Sequence, residues 1–264
     1  MRILITGGSR GIGGAVARRV ARDAAKDGGL ARIALCDREG IETLGPMTAE
    51  LESIGAEVLP LTGDLAEVET PERLLRAAVA AFGGLDALFS NAGITRPEKF
   101  AEMDVATWEL MMNVNLRATW LLAKAAYPAL KESRGAIVAT ASTAGVMPYR
   151  NMGAYSTTKA ALIMLTAQLA QEWGPDGIRV NCLSPGAVHT PLSARVYADN
   201  RVKAAREALV PLGYIGDPTE DLAGVVAFLL SKDAQYVTGQ NVLADGGLAA
   251  SICNHIPGLS EAAD

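Results

Sequence analysis

The chain has 264 residues, half of them hydrophobic and a fifth charged. That composition excludes a disordered chain, and only three cysteines in this length exclude a disulfide-stapled miniprotein. Acidic residues outnumber basic ones, 29 to 24, so with a net charge of −5 no nucleic-acid or anionic-membrane partner is expected.

The predicted elements alternate short apolar runs with longer helical patterns. In chain order they are a strand over 3–6, a helix over 11–26, a strand over 33–36, a helix over 48–54 and a strand over 57–61. A helix then opens at Pro71 and stops before Gly83. A strand over 85–89, a long helix over 104–130 that allows a bend, and a strand over 136–141 follow. The last elements are a helix over 152–173, a strand over 179–183, a charged irregular flap over 191–209, a helix over 219–230 and a strand over 240–244. This β/α alternation predicts an α/β fold, a doubly wound parallel sheet of about seven strands in one domain over 1–264. A substrate flap is expected at 190–212 and a loosely patterned tail at 248–264. The run Ala160 to Leu165 is apolar nearly all round, so that helix is either internal or covered by a second subunit.

Cys36, Cys182 and Cys253 are scattered, with no Cys/His cluster, and no metal site is expected. The first apolar run is too short for a secretory signal, and no run reaches the ~18 residues of a membrane span. The expectation is a cytoplasmic protein.

The first strand runs into Thr6-Gly7-Gly8-Ser9-Arg10-Gly11-Ile12-Gly13 and then into a helix. Glycines let a backbone approach phosphate, and a helix N-terminus offers free N–H groups and a positive dipole end. The junction predicts a cradle for a dinucleotide pyrophosphate. Asp37 ends the second strand, where a carboxylate binds ribose hydroxyls and repels a 2′-phosphate. Arg10 and Arg38 have the opposite preference. The charge logic favours NAD and leaves NADP possible. Asp64 either reaches the adenine edge or caps the next turn. Ser90-Asn91-Ala92-Gly93 closes the fourth strand with residues small enough for a cofactor to lie close.

Tyr155 and Lys159, four apart, share one helix face. A neighbouring ammonium stabilises phenolate and makes tyrosine a usable acid/base. Ser142 lies 13 residues before Tyr155 and can hold a substrate oxygen, with Thr143 a rival for that role. Asn115 is an unusual interior helix residue, which suggests a task such as anchoring water beside Lys159.

In this order these motifs resemble the short-chain dehydrogenase/reductase family, in its single-domain branch, over essentially the whole chain. Asn181-x3-Pro185-Gly186 and Thr238-Gly239-x5-Asp245-Gly246-Gly247 extend the resemblance. It implies a Rossmann-like fold, a nicotinamide cofactor and a small-molecule substrate, in a homotetramer or homodimer. It implies Tyr155 as general acid/base, Lys159 as its pKa-lowering partner, Ser142 as orienter of the substrate oxygen and Asn115 as part of a proton relay. The implied cofactor set is Gly7, Ser9, Arg10, Gly11, Ile12, Gly13, Asp37, Asp64, Leu65, Asn91, Ala92, Gly93, Tyr155, Lys159, Pro185, Gly186, Val188 and Thr190. Trp173 and the tail containing His255 depart from the family pattern.

Substrate choice is expected in Thr95-Arg96, in the 146–152 loop and in the flap. Arg150 and Arg195 could bind a carboxylate, which points to a hydroxy acid or sugar acid. An alternative is an NADP-dependent 3-oxoacyl carrier-protein or ketone reductase, which residues 91–96 resemble. Asp37 and the acidic balance argue against it, because an acidic carrier protein needs a basic patch. A catalytically inactive dinucleotide-binding protein is disfavoured by the presence of both Tyr155 and Lys159.

Overall fold

β1 (Arg2–Thr6) is apolar on both faces, and Ile3, Leu4 and Ile5 are fully buried. Such a strand has to lie inside a sheet covered on both sides. The computed structural model, which describes residues 1–251, places it there. After β1 come α1 (Gly11–Lys26), β2 (Arg32–Asp37), α2 (Ile41–Ser53), β3 (Glu57–Thr62), α3 (Thr70–Phe82) and β4 (Ala87–Ser90). α4 (Val105–Met112), α5 (Ala118–Ser133), β5 (Ala136–Thr140), α6 (Tyr155–Trp173) and β6 (Arg179–Pro185) follow. The last elements are α7 (Ala194–Tyr197), α8 (Asn200–Glu207), α9 (Ala223–Leu230) and β7 (Asn241–Ala244).

All seven strands are parallel, in the order β3-β2-β1-β4-β5-β6-β7. The winding reverses between β1 and β4, as the doubly wound Rossmann-like prediction requires, and ligands bind beyond the carboxyl ends of strands at such a point. One core layer joins the sheet to α1, α2 and α9 through Val16, Leu44, Leu51, Val226 and Leu229. The other joins it to α3, α5 and α6 through Leu74, Leu75, Leu122, Leu130 and Leu169. Fully burying each such side chain contributes about 1.5–3 kcal/mol.

Four boundaries differ from the sequence reading, each for a local reason. α2 begins at Ile41, not 48. Gly45-Pro46 reads as a break, but Leu44, Met47 and Leu51 fall on one buried face and carry the helix through it. The helix expected over 104–130 is α4, a π-helical turn Asn113–Arg117, and α5. α6 starts at Tyr155, because Asn151 (φ 60°) and Gly153 (φ 54°) are left-handed and cannot extend a helix toward residue 152. The helix expected from Thr219 opens as a π-helical turn, Pro218–Leu222, capped by the Asp217 carboxylate on Thr219 N and Glu220 N.

The internal reading of α6 also fails. Its buried face carries Lys159, Leu162, Thr166 and Leu169, while Met164 on the far side is 67% exposed. Trp173 packs against Tyr127 with ring centroids 5.0 Å apart. In the flap, Tyr197 is the buried residue of α7, stacked edge-on to His189, and α8 has none. Of the tail, Leu248–Ala250 forms a 3-10 turn; Cys253 and His255 lie outside the described residues.

Candidate active site

The glycine loop crosses from β1 to α1 through Gly7 (φ 63°) and Gly11 (φ 57°), conformations that favour glycine. A Cβ on Gly13 would run into the Gly7 carbonyl oxygen and stand 2.8 Å from Asn91 Nδ2. Arg10 at the N-cap of α1 makes no side-chain cap, and the first turn holds no acidic residue. α4 and α8, by contrast, are capped by Asp104 and Asp199. The α1 terminus therefore keeps its positive end open, beside a surface of bare backbone. Both features fit a pyrophosphate. Pro191 Cδ approaches within 3.3 Å of where a Gly11 Cβ would stand, so the flap begins against this loop.

Asp37 sits at the end of β2 beside the loop. Its Oδ2 accepts a hydrogen bond from Ser9 Oγ and its Oδ1 accepts one from Arg38 N at 2.7 Å. Arg10 turns to Glu39, at 3.4 Å, while Arg38 is exposed. Asp64 caps its own turn, accepting from Ala66 N at 2.8 Å, and the Leu65 side chain packs in the core.

Asn91 is committed inside the protein. Its Nδ2 donates to Thr6 O at 3.1 Å and Gly7 O at 3.3 Å, and its Oδ1 accepts from Thr140 Oγ1 at 3.1 Å. Thr6 Oγ1 accepts from the N–H groups of Asn91 and Ala92. The Asn91 side chain thus ties the glycine loop to β5, with both of its amide protons engaged. Thr140, in turn, accepts from Lys159 Nζ at its carbonyl, at 2.6 Å. Sequence reasoning missed Thr6 and Thr140. The one signal for them was a hydroxyl residue at the carboxyl end of an apolar strand.

Lys159 is 3% exposed, with its Nζ 5.6 Å from the centroid of the Tyr155 ring. Burial pushes its pKa down to about 8, with the nearby Cys182 working the other way. Burial also raises the Tyr155 phenol above its ordinary value; the Ser142 hydroxyl beside it opposes the rise and Tyr149 adds to it. Ser142 Oγ accepts from Ala144 N at 3.1 Å, which leaves its proton free to donate. Its rival Thr143 is turned aside to the Tyr149 hydroxyl, at 3.2 Å.

Asn115 lies in the π-helical turn, 1% exposed. It binds Ile94 twice, accepting from the N–H at 2.8 Å and donating to the carbonyl at 2.9 Å, and donates to Thr158 Oγ1 at 3.2 Å. A Cβ on Gly93 would stand 3.3 Å from Asn115 Oδ1 and 3.5 Å from Lys159 Nζ, so both groups border the same small space.

Beyond β6, a Cβ on Gly186 would meet Asp245 at 2.6 Å, so the Pro185-Gly186 turn needs its glycine. Val188 is buried in the core. Thr190 N donates to Ser193 Oγ at 2.9 Å, and Ser193 Oγ donates to Val188 O at 2.6 Å, which fixes the flap's first turn. Arg150 and Arg195 are exposed, on the 146–152 loop and on α7. Among the described residues no cluster could hold a metal ion, and no helix is long and apolar enough to cross a membrane.

A family model described as enoyl-(acyl carrier protein) reductase matches residues 7–249. A pig protein, dehydrogenase/reductase SDR family member 4, is 36% identical over 253 residues, spanning 94% of this chain and 87% of its own length. This chain belongs to the short-chain dehydrogenase/reductase family. Family members are oxidoreductases that act on alcohols and ketones. A 3beta-hydroxysteroid dehydrogenase from Eggerthella lenta is 34% identical, covering 93% of this chain and 92% of its own. The crystal structure of a Burkholderia cenocepacia short-chain dehydrogenase in complex with NADP superposes with a TM-score of 0.84. It is 33% identical and covers 94% of this chain and 97% of its own.

Gly13→Ala should displace the Gly7 carbonyl and raise the Kd for the nicotinamide dinucleotide by about tenfold or more, a cost of about 1.4 kcal/mol. Calorimetric titration measures it; an unchanged Kd contradicts the cradle.

Proposed function

We propose that the protein is an NAD-dependent dehydrogenase that oxidises a secondary alcohol to a ketone, or runs the reverse reduction. The observation that carries this reading is the set of Ser142, Tyr155 and buried Lys159 beyond β5, on the same sheet edge as the open N-terminus of α1. The cofactor would rest on Gly7, Ser9, Gly11, Ile12 and Gly13, with Pro185, Gly186 and Thr190 at its nicotinamide end, and it would supply the hydride acceptor or donor.

The protein's own residues handle the proton and the oxygen. Ser142 donates a hydrogen bond to the substrate oxygen and fixes it before Tyr155. The Tyr155 phenolate takes the alcohol proton in oxidation, and the phenol returns it in reduction. Lys159 uses one of its three donors on Thr140 and directs its charge toward the phenolate. Both N–H groups of Asn115 are already engaged, so a water in the relay would be held by Oδ1 or by the carbonyls of the π-helical turn.

NAD is favoured because Asp37, a carboxylate at the end of β2 beside the glycine loop, would repel a 2′-phosphate, and Glu39 draws Arg10 away. The exposed arginines Arg150 and Arg195 support a hydroxy acid or sugar acid as substrate. Cys36 and Cys182 are free and buried, which suits a reducing cytoplasm. The exposed Met164 on α6 and Trp120 on α5 support a homodimer or homotetramer.

Initial rates with NAD and NADP over neutral alcohols, hydroxy acids and sugar acids test the reading. Turnover with NAD is expected, with Tyr155→Phe losing at least about a hundredfold. Asp37→Ala should shift preference toward NADP by about tenfold. Wild-type activity with NADP alone would mean that Arg10 and Arg38 outweigh Asp37, and would bring the reductase alternative forward. For the assembly, Met164→Glu should lower the particle mass in sedimentation velocity, and a wild-type monomer would contradict a subunit contact there.

A further inference from the structure

Tyr149 is a second phenol beside the catalytic one, and the reaction described above does not use it. It lies six residues before Tyr155, on the loop between the Ser142 turn and α6, and is 40% exposed. Its hydroxyl is 3.2 Å from Thr143 Oγ1. Thr143 is buried, and among the described residues the Tyr149 oxygen is the acceptor its proton has. A buried hydroxyl proton needs an acceptor, so Thr143 donates and Tyr149 accepts. The Tyr149 phenol therefore keeps its own proton, on a ring whose position is anchored and whose face is open. Thr143 adjoins Ser142 in the same 3-10 turn, so the Tyr149 hydroxyl bonded to it lies in the neighbourhood of the substrate-orienting serine.

We propose that the Tyr149 hydroxyl donates a hydrogen bond to a second oxygen on the substrate, next to the reacting carbon. The preferred substrates are then vicinally oxygenated alcohols: 1,2-diols, hydroxy ketones or 2-hydroxy acids. The inference rests on the dehydrogenase reading and narrows its substrate. Ser142 and Tyr155 hold the reacting oxygen, and Tyr149 holds its neighbour. Two-point binding fixes which carbon is presented, which a lone alcohol cannot do. Thr143 acts through Tyr149 and is a positioning residue.

The test compares trans-cyclohexane-1,2-diol with cyclohexanol, two probes that differ in the second oxygen. Wild-type protein should have the higher kcat/KM for the diol. Tyr149→Phe should lower kcat/KM for the diol about tenfold and leave cyclohexanol within about twofold, because the donor is gone and the ring remains. Thr143→Val should move the diol in the same direction by less. Thermal unfolding of the variants checks that they fold. An equal effect of Tyr149→Phe on both alcohols, or no effect on either, overturns the assignment. Wild-type protein that oxidises neither alcohol overturns the inference; the dehydrogenase reading falls with it only if neutral alcohols, hydroxy acids and sugar acids are all silent with both cofactors.

Discussion

Lys159 carries an ammonium where water scarcely reaches, held by the Thr140 carbonyl at 2.6 Å. An unpaired buried charge is costly, and a lysine so placed gives up its proton more readily. The shift to about 8 still leaves it mostly charged at neutral pH. In the proposed reaction that cation would stabilise the phenolate, which burial otherwise disfavours, since an isolated tyrosine ionises near ~10 and Tyr155 is raised above that. β5 and α6 together hold the ammonium out of solvent, 5.6 Å from the centroid of the Tyr155 ring.

The same carbonyl connects the two halves of the site. Thr140 donates from its hydroxyl to Asn91, and Asn91 donates to Thr6 and Gly7. The glycine loop that would hold phosphate and the lysine that would tune the phenol are therefore joined by one short chain of hydrogen bonds across β1, β4 and β5. The winding reverses between β1 and β4, so these strand ends are brought side by side by topology. These groups stand at the strand ends where doubly wound sheets bind ligands.

Much of this was legible in the sequence. The bounds of α1 follow from a glycine loop feeding a regular apolar face, and the placing of Tyr155 and Lys159 on one helix and of Ser142 past the end of β5 follows from spacing. The rest depended on contacts that spacing does not encode. The bonds by which the Asn91 amide joins Thr6, Gly7 and Thr140 have no trace in the spacing of those residues. Thr143 competes with Ser142 until its hydroxyl is seen paired with Tyr149. The π-helical turn at Asn115 carries no pattern of its own, because one extra residue in a helix shifts the apolar period only slightly. At α2, burial of Leu44 and Met47 carries the helix through Gly45-Pro46, seven residues before the expected start at 48.

The most direct measurement is the pH dependence of kcat/KM for alcohol oxidation, in wild-type protein and in Lys159→Met. The active form holds one proton, on Lys159 and not on Tyr155, so in the wild type the rate should rise through the lower and fall through the higher of the pair's two apparent pKa values. The two limbs belong to the coupled pair. In Lys159→Met the falling limb should vanish and the rising limb should move to higher pH, because no cation remains to stabilise the phenolate. An unchanged profile in the variant would contradict the claim that the buried ammonium makes Tyr155 a base.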